Sequence, residues 1–128
     1  MTFSQKNNLT EVKIILVVED DNDIGEFLIK AIQLETPYQV RLASRGLDAL
    51  RMVQIMKPHL LILDYTLPDM NGLELYDKVH TAEEFAHVPA LMISAHAPQI
   101  ELKQRHLPLL KKPFELGVLL KQIQKLLV

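Results

Sequence analysis

Two kinds of hydrophobic segment alternate along the chain. The first is short, apolar and rich in β-branched residues or leucine: Val12–Val18, Tyr38–Ala43, His59–Leu63, Ala90–Ile93 and Leu107–Leu110. Each has the length of a strand, and several are apolar at consecutive positions, the pattern of parallel strands covered on both faces. The second kind has helical period. Ile24, Phe27, Leu28, Ala31 and Ile32 fall at i, i+3, i+4, i+7 and i+8. Ala49, Leu50, Val53 and Met56 make another stripe, opened by Gly46 and stopped before Pro58. Leu75 and Val79, flanked by Leu73 and Tyr76, make a third. Leu116, Leu119, Leu120, Ile123 and Leu127 make the last, with Lys121, Gln122, Gln124 and Lys125 facing out. Between the fourth and fifth strands, Pro98–His106 has only Ile100 and Leu102 as aliphatic residues, which predicts a short helix. The order is therefore βαβαβαβαβα. Right-handed crossovers at this spacing give a three-layer α/β sandwich, with function expected at the carboxyl ends of the strands.

Composition narrows the function classes. A length of 128 residues suits one domain with one core. Lys plus Arg is 14 and Asp plus Glu is 16, a net charge of −2, so nothing favours direct nucleic-acid binding. The absence of cysteine rules out disulfides, Cys-zinc sites and iron–sulfur clusters. The longest aliphatic run, Ile14–Val18, is far short of the roughly 20 residues of a membrane span. Met1–Glu11 is polar and lacks the apolar stretch of a secretory signal. These features predict a flexible tail over residues 1–11 and a cytoplasmic domain over residues 12–128.

The strand ends carry the chemistry. Strand one runs into Glu19-Asp20-Asp21, strand three into Asp64, strand four into Ser94-Ala95 and strand five into Lys111-Lys112-Pro113. Taken singly, each has a plain structural role. Asp21 or Asn22 would cap the first helix, Ser94 the helix after strand four, and Asp64 would begin a turn. Lys112 would be a solvated lysine, although a cation is misplaced at a helix N-terminus. Together, at successive strand ends, they gather carboxylates, a hydroxyl and an amine at one sheet edge. Converging carboxylates repel unless a cation lies among them, and an all-oxygen set favours Mg²⁺ over zinc. The histidines, at 59, 80, 87, 96 and 106, show no i, i+4 pairing and read as surface or rim residues. There is no G-x-G-x-x-G cradle and no G-x-S-x-G elbow.

Four segments in this order resemble the receiver domain of two-component response regulators: Ile14–Asp21, Leu61–Gly72, Ser94-Ala95 and Lys112-Pro113-Phe114. Gly46, Ala49 and Leu50 also look like that family's second helix. The resemblance implies a flavodoxin-like, doubly wound five-stranded parallel sheet of order 2-1-3-4-5. It implies a phosphoacceptor at Asp64, Mg²⁺ held by Asp20, Asp21, Asp64 and the backbone carbonyl of Thr66, and phosphoryl-binding roles for Ser94 and Lys112. The backbone N–H groups of Tyr65 and Thr66 are further expected donors. A cis Lys112–Pro113 bond is also implied. The expected donor is a sensor histidine kinase or a histidine phosphotransfer protein. The domain would not be an enzyme beyond its own phosphorylation and dephosphorylation. The protein is expected to be a monomer or weak dimer, with an unknown downstream effector.

Two features depart from the family pattern. Leu109 stands where an aromatic residue usually precedes the lysine, and the stretch from Ser94 to Lys112 is shorter than usual by about one helical turn. Two other readings remain: a phosphorylation-independent interaction module, and a Mg²⁺-dependent aspartyl phosphohydrolase. The second is disfavoured because Asp64-Tyr65-Thr66 lacks a second acid. A chain ending at Val128 fits either a stand-alone receiver or one cut from a longer regulator.

Overall fold

The structure, a computed structural model, describes residues 12–127, so the tail expected over residues 1–11 lies outside it. The elements are β1 (Ile14–Val18), α1 (Asn22–Glu35), β2 (Gln39–Ala43), α2 (Gly46–Met56), β3 (Leu60–Asp64) and α3 (Gly72–Thr81). They continue with a 3₁₀ turn (Glu83–Phe85), β4 (Ala90–Ser94), α4 (Gln99–Gln104), β5 (Leu109–Lys111) and α5 (Leu116–Leu127). All strand pairs are parallel and the order is β2-β1-β3-β4-β5, the flavodoxin-like arrangement.

Strand alternation divides the core in two. Leu16, Val18, Leu61, Leu63 and Met92 point to one face, where Ala49 and Val53 of α2, Leu75 and Val79 of α3 and Leu102 of α4 cover them. Ile15, Val17, Leu60, Ile62, Leu91 and Ile93 point to the other, under Leu28 and Ile32 of α1 and Leu119 and Ile123 of α5. β3 and β4 are buried at every position, which is why these segments read as unbroken apolar runs. Each fully buried aliphatic side chain contributes about 1.5–3 kcal/mol relative to exposure.

Strand boundaries differ slightly from the hydrophobic pattern. Val12 and Lys13 are exposed and precede β1. Pro108 accepts from the Met92 N–H at 2.9 Å but has no N–H to return, so β5 begins after it. The short 3₁₀ turn was not legible, yet its Phe85 is buried in the core. Two histidines hold structure rather than simply lining the rim. His59 Nδ1 accepts the Ile14 N–H at 3.0 Å, and His80 lies within 2.7 Å of both the Tyr76 and Val88 carbonyls.

Candidate functional site

The site grows from the end of β1. The Glu19 N–H still donates to the Ala43 carbonyl at 2.9 Å, so Glu19 continues the ladder and its side chain is buried. One residue on, the chain leaves the sheet and Asp20 is exposed. Asp21 adopts the extended backbone of a helix cap, and its Oδ1 accepts the N–H groups of Asp23 and Ile24 at 2.9 and 3.1 Å. The carboxylates that converge are those of Glu19, Asp20 and Asp64, with oxygens within 4.8 Å of one another. Of the expected ligand pair, Asp20 lies in this cluster and Asp21 does not. Asp21 caps α1 through Oδ1, and Glu19 joins the cluster from a buried position.

Asp64 ends β3, 8% exposed. The loop after it is anchored at three points. The Tyr65 N–H donates to the Ile93 carbonyl at 3.1 Å, and the Thr66 N–H donates to Asp64 Oδ1 at 3.3 Å. The Gly72 N–H returns to the Tyr65 carbonyl at 2.7 Å. The Tyr65 amide, expected as a phosphoryl donor, is therefore spent on the sheet, because the β3–β4 ladder runs on past Leu63, with Asp64 paired to Ile93. Thr66 remains on the cleft wall with its N–H turned to Asp64. Farther along, Asp69 accepts the Gly46 and Leu47 N–H groups at 2.8 and 2.9 Å, supplying the cap that Arg45 lacks and tying this loop to α2. Asn71 and Glu74 form a reciprocal capping box that starts α3.

Ser94 ends β4, buried, and its Oγ accepts the His96 N–H at 3.0 Å. Its carbonyl accepts the Lys112 N–H at 3.1 Å, holding the loop after β5 beside the loop after β4. The Lys112–Pro113 bond is cis, as expected. Lys112 Nζ lies 3.4 Å from Asp64 Oδ2 and 3.4 Å from Glu19 Oε1. Asp64, Thr66, Ser94, His96 and Lys112 line one cleft of about 260 Å³.

The electrostatics suit a cation. Burial pushes the Glu19 carboxyl up to about 7, and the neighbouring Asp64 adds to the rise. The Asp21 N–H and the Lys112 ammonium pull the other way. One ammonium beside three carboxylates leaves the cluster short of positive charge, and the donor set is all oxygen. Both are properties of a hard divalent-cation site. Of the expected residues, Asp20, Asp64, Thr66, Ser94 and Lys112 meet at this edge, while Asp21 does not join the carboxylate cluster. Glu19 was missed as a member. Its signal was present in Asp21-Asn22-Asp23: once Asp21 is read as the cap, the acids left for the cluster are the two before it.

Comparison with known proteins points one way. The sequence profile of the response regulator receiver domain matches residues 15–124. The chain is 34% identical over 126 residues to the response regulator receiver protein CpdR of Brucella abortus, covering 91% of this chain and 98% of that protein. It is 41% identical over 81 residues to the sensor histidine kinase TmoS of Ectopseudomonas mendocina. That match covers 63% of this chain but spans only 8% of the kinase. The structure of the chemotaxis response regulator CheY4 of Vibrio cholerae matches with a TM-score of 0.83 at 27% identity, covering 91% of this chain and 99% of that one.

Proposed function

The chain belongs to the response regulator receiver domain family, and from that membership we propose that it is a phosphoacceptor switch in which Asp64 takes a phosphoryl group from a phosphohistidine. The observation that carries this reading is the buried Asp64 carboxylate, 3.4 Å from the Lys112 ammonium in a cleft shared with Ser94. The donor is a sensor histidine kinase or a histidine phosphotransfer protein. An Asp64 oxygen forms the new O–P bond as the P–N bond to histidine breaks, and the electron pair of that bond leaves with the imidazole. A carboxylate is a weak nucleophile, so the residues contribute by positioning and by offsetting charge.

Lys112 offsets charge on the acceptor and on the incoming group, which carries roughly −2. Thr66 N–H and the Ser94 hydroxyl are further nearby donors. Glu19, Asp20 and Asp64, with the Thr66 carbonyl, would hold Mg²⁺, which supplies charge neutralisation for the carboxylates and phosphoryl oxygens. For Ser94 to donate to the phosphoryl group, its hydroxyl turns toward Asp64. The His96 amide bonded to it is then drawn along, with the loop after β4. The loops after β3 and β4 thus form the two-state element that alters partner binding.

The test is incubation with acetyl phosphate and Mg²⁺, followed by intact mass measurement. One added phosphoryl group is expected on the wild-type chain and none on Asp64→Asn. An unmodified wild-type chain favours the interaction-module reading, and the same adduct on Asp64→Asn rejects Asp64 as acceptor.

A further inference from the structure

The loop that leads from Asp64 to α3 is closed at its base and fastened at its tip. At the base, the Gly72 N–H bonds the Tyr65 carbonyl at 2.7 Å, and Thr66 pairs with Asn71 in an antiparallel bridge. The tip, Leu67 to Met70, reaches α2. The N-cap residue of α2, Arg45, makes no side-chain hydrogen bond to the helix. Asp69 fills that role from the tip. Its Oδ1 accepts the Gly46 N–H at 2.8 Å and its Oδ2 the Leu47 N–H at 2.9 Å. These bonds, the one from Leu47 foremost, hold the Asp69 carboxyl below its ordinary value of 3.8.

Met70 adds an apolar tie at the same place. Its side chain lies against Gly46: a Cβ there would fall 2.5 Å from Met70 Sδ, 2.6 Å from Cγ and 2.7 Å from Cε. Leu67, at the start of the tip, is buried in the half of the core that holds Ala49 and Val53 of α2. The tip is thus joined to α2 by a forked carboxylate and by packing, although the two segments are far apart in the chain. Thr66 depends on this support. Its N–H donates to Asp64 Oδ1 at 3.3 Å, beyond the usual length of such a bond, so this contact alone fixes little. Two pairings at the base leave the loop able to pivot about them. A third point, on a different element, removes that freedom.

We propose that Asp69 is a positioning residue for phosphoryl transfer to Asp64: by pinning the loop tip to the N-terminus of α2, it holds Thr66 in place beside the acceptor. This role rests on the phosphoacceptor reading of Asp64. Asp69 acts through Thr66 and the loop backbone. Placement is where the effect lies, since a shift of about 1 Å caused far from the reacting atoms can cost up to about 10²-fold in rate. The same carboxylate also caps α2, and the two roles can be separated. Arg45 has the extended backbone of a cap, φ −143° and ψ 154°. A serine there can cap α2 locally without touching the loop.

The test compares the full chain with Asp69→Ala, Arg45→Ser and the double variant, under conditions where urea melts show each fully folded. Phosphorylation by acetyl phosphate with Mg²⁺ is followed by intact mass, and the Thr66 amide resonance is followed by NMR in metal-free protein. Asp69→Ala is expected to lower the maximal rate by about tenfold and to shift the Thr66 resonance. Arg45→Ser alone should react as wild type. In the double variant the serine should raise the urea midpoint above that of Asp69→Ala, while the rate and the Thr66 resonance stay those of Asp69→Ala. Recovery of the wild-type rate in the double variant would make Asp69 a helix cap only and overturn the proposal. An unchanged rate or an unmoved Thr66 resonance in Asp69→Ala overturns it too, with the phosphoacceptor reading intact if wild type is modified. A wild-type chain that takes up no phosphoryl group overturns that reading, and the positioning role with it.

Discussion

At Gly72 the space beside Cα is already filled. A Cβ there would lie 2.6 Å from the Asp64 carbonyl oxygen, 2.8 Å from Met92 Sδ and 3.0 Å from Tyr65 Cα. Backbone atoms cannot swing aside, so Gly72→Ala should cost about 2–3 kcal/mol, the upper part of the overpacking range. It should also slow phosphorylation by displacing Asp64. An unchanged urea midpoint would contradict this. Gly117 is the opposite case: nothing lies within 4 Å of its added Cβ, in the first turn of α5. Gly117→Ala should stabilise by about 0.5–1 kcal/mol, because alanine loses less entropy in a helix. His106→Gly should likewise raise the melting midpoint, by about 0.5–1 kcal/mol of stability, because glycine at its φ of 54° removes the left-handed penalty of a residue bearing Cβ.

Among the elements, α4 is the one most in need of outside support. It has six residues and one buried side chain, Leu102, and so short a helix is unstable alone. Arg105 bridges it to α3: Nε and Nη2 donate to the two Asp77 oxygens at 2.8 Å each, and Nη1 donates to the Glu101 carbonyl at 2.9 Å. The hydrogen bonds from Arg105 hold the Asp77 carboxyl below its ordinary value of 3.8. A depressed folded-state value means the stabilisation is complete above 3.8 and lost as pH falls through the lower folded value. The Asp77 side chain is 51% exposed, so Asp77→Asn should cost only about 0.5–1 kcal/mol at neutral pH. The gap from wild type should shrink on acidification. Urea melts at neutral and acid pH measure this, and a gap that widens in acid would refute the assignment. Amide exchange over residues 99–107 should quicken in the same variant.

At the scale of the whole molecule, the question is whether the phosphorylation proposed at Asp64 changes assembly. Stable interfaces generally bury about 1,200–2,000 Å² in total. The face formed by α4, β5 and α5 offers a six-residue helix, the three residues of β5, and an α5 surface with Lys121, Gln124 and Lys125 exposed. Leu109 provides no aromatic ring there. Beryllofluoride with Mg²⁺ should therefore leave the protein mainly monomeric in sedimentation, with spectral changes confined to the loops after β3 and β4. A strong beryllofluoride-induced dimer, lost on substitution within residues 98–106, would overturn that expectation.

The alternation of strand and helix, the burial of β3 and β4 on both faces, and the delivery of Asp64, Ser94 and Lys112 to one edge were all legible in the sequence. Each follows from local periodicity: a strand buried on both faces shows as a continuous apolar run, and in a parallel sheet its polar terminus lies at the same edge as the others. The short α4 was legible for the same reason, as a missing stripe. Which acids follow β1 into the cluster was legible only through the cap reading of Asp21, and folding fixed it. Glu19, Asp20 and Asp21 are alike in composition, and they were separated by the residue at which the strand ladder ends and the α1 cap begins. The Tyr65 amide was lost to β4, Asp69 capped a helix 23 residues earlier, and Arg105 reached Asp77 28 residues away. These pairings join elements distant in the chain. Local pattern specifies each element but not the partner that its unpaired donors and acceptors meet, and only the packed sheet and helices settle that.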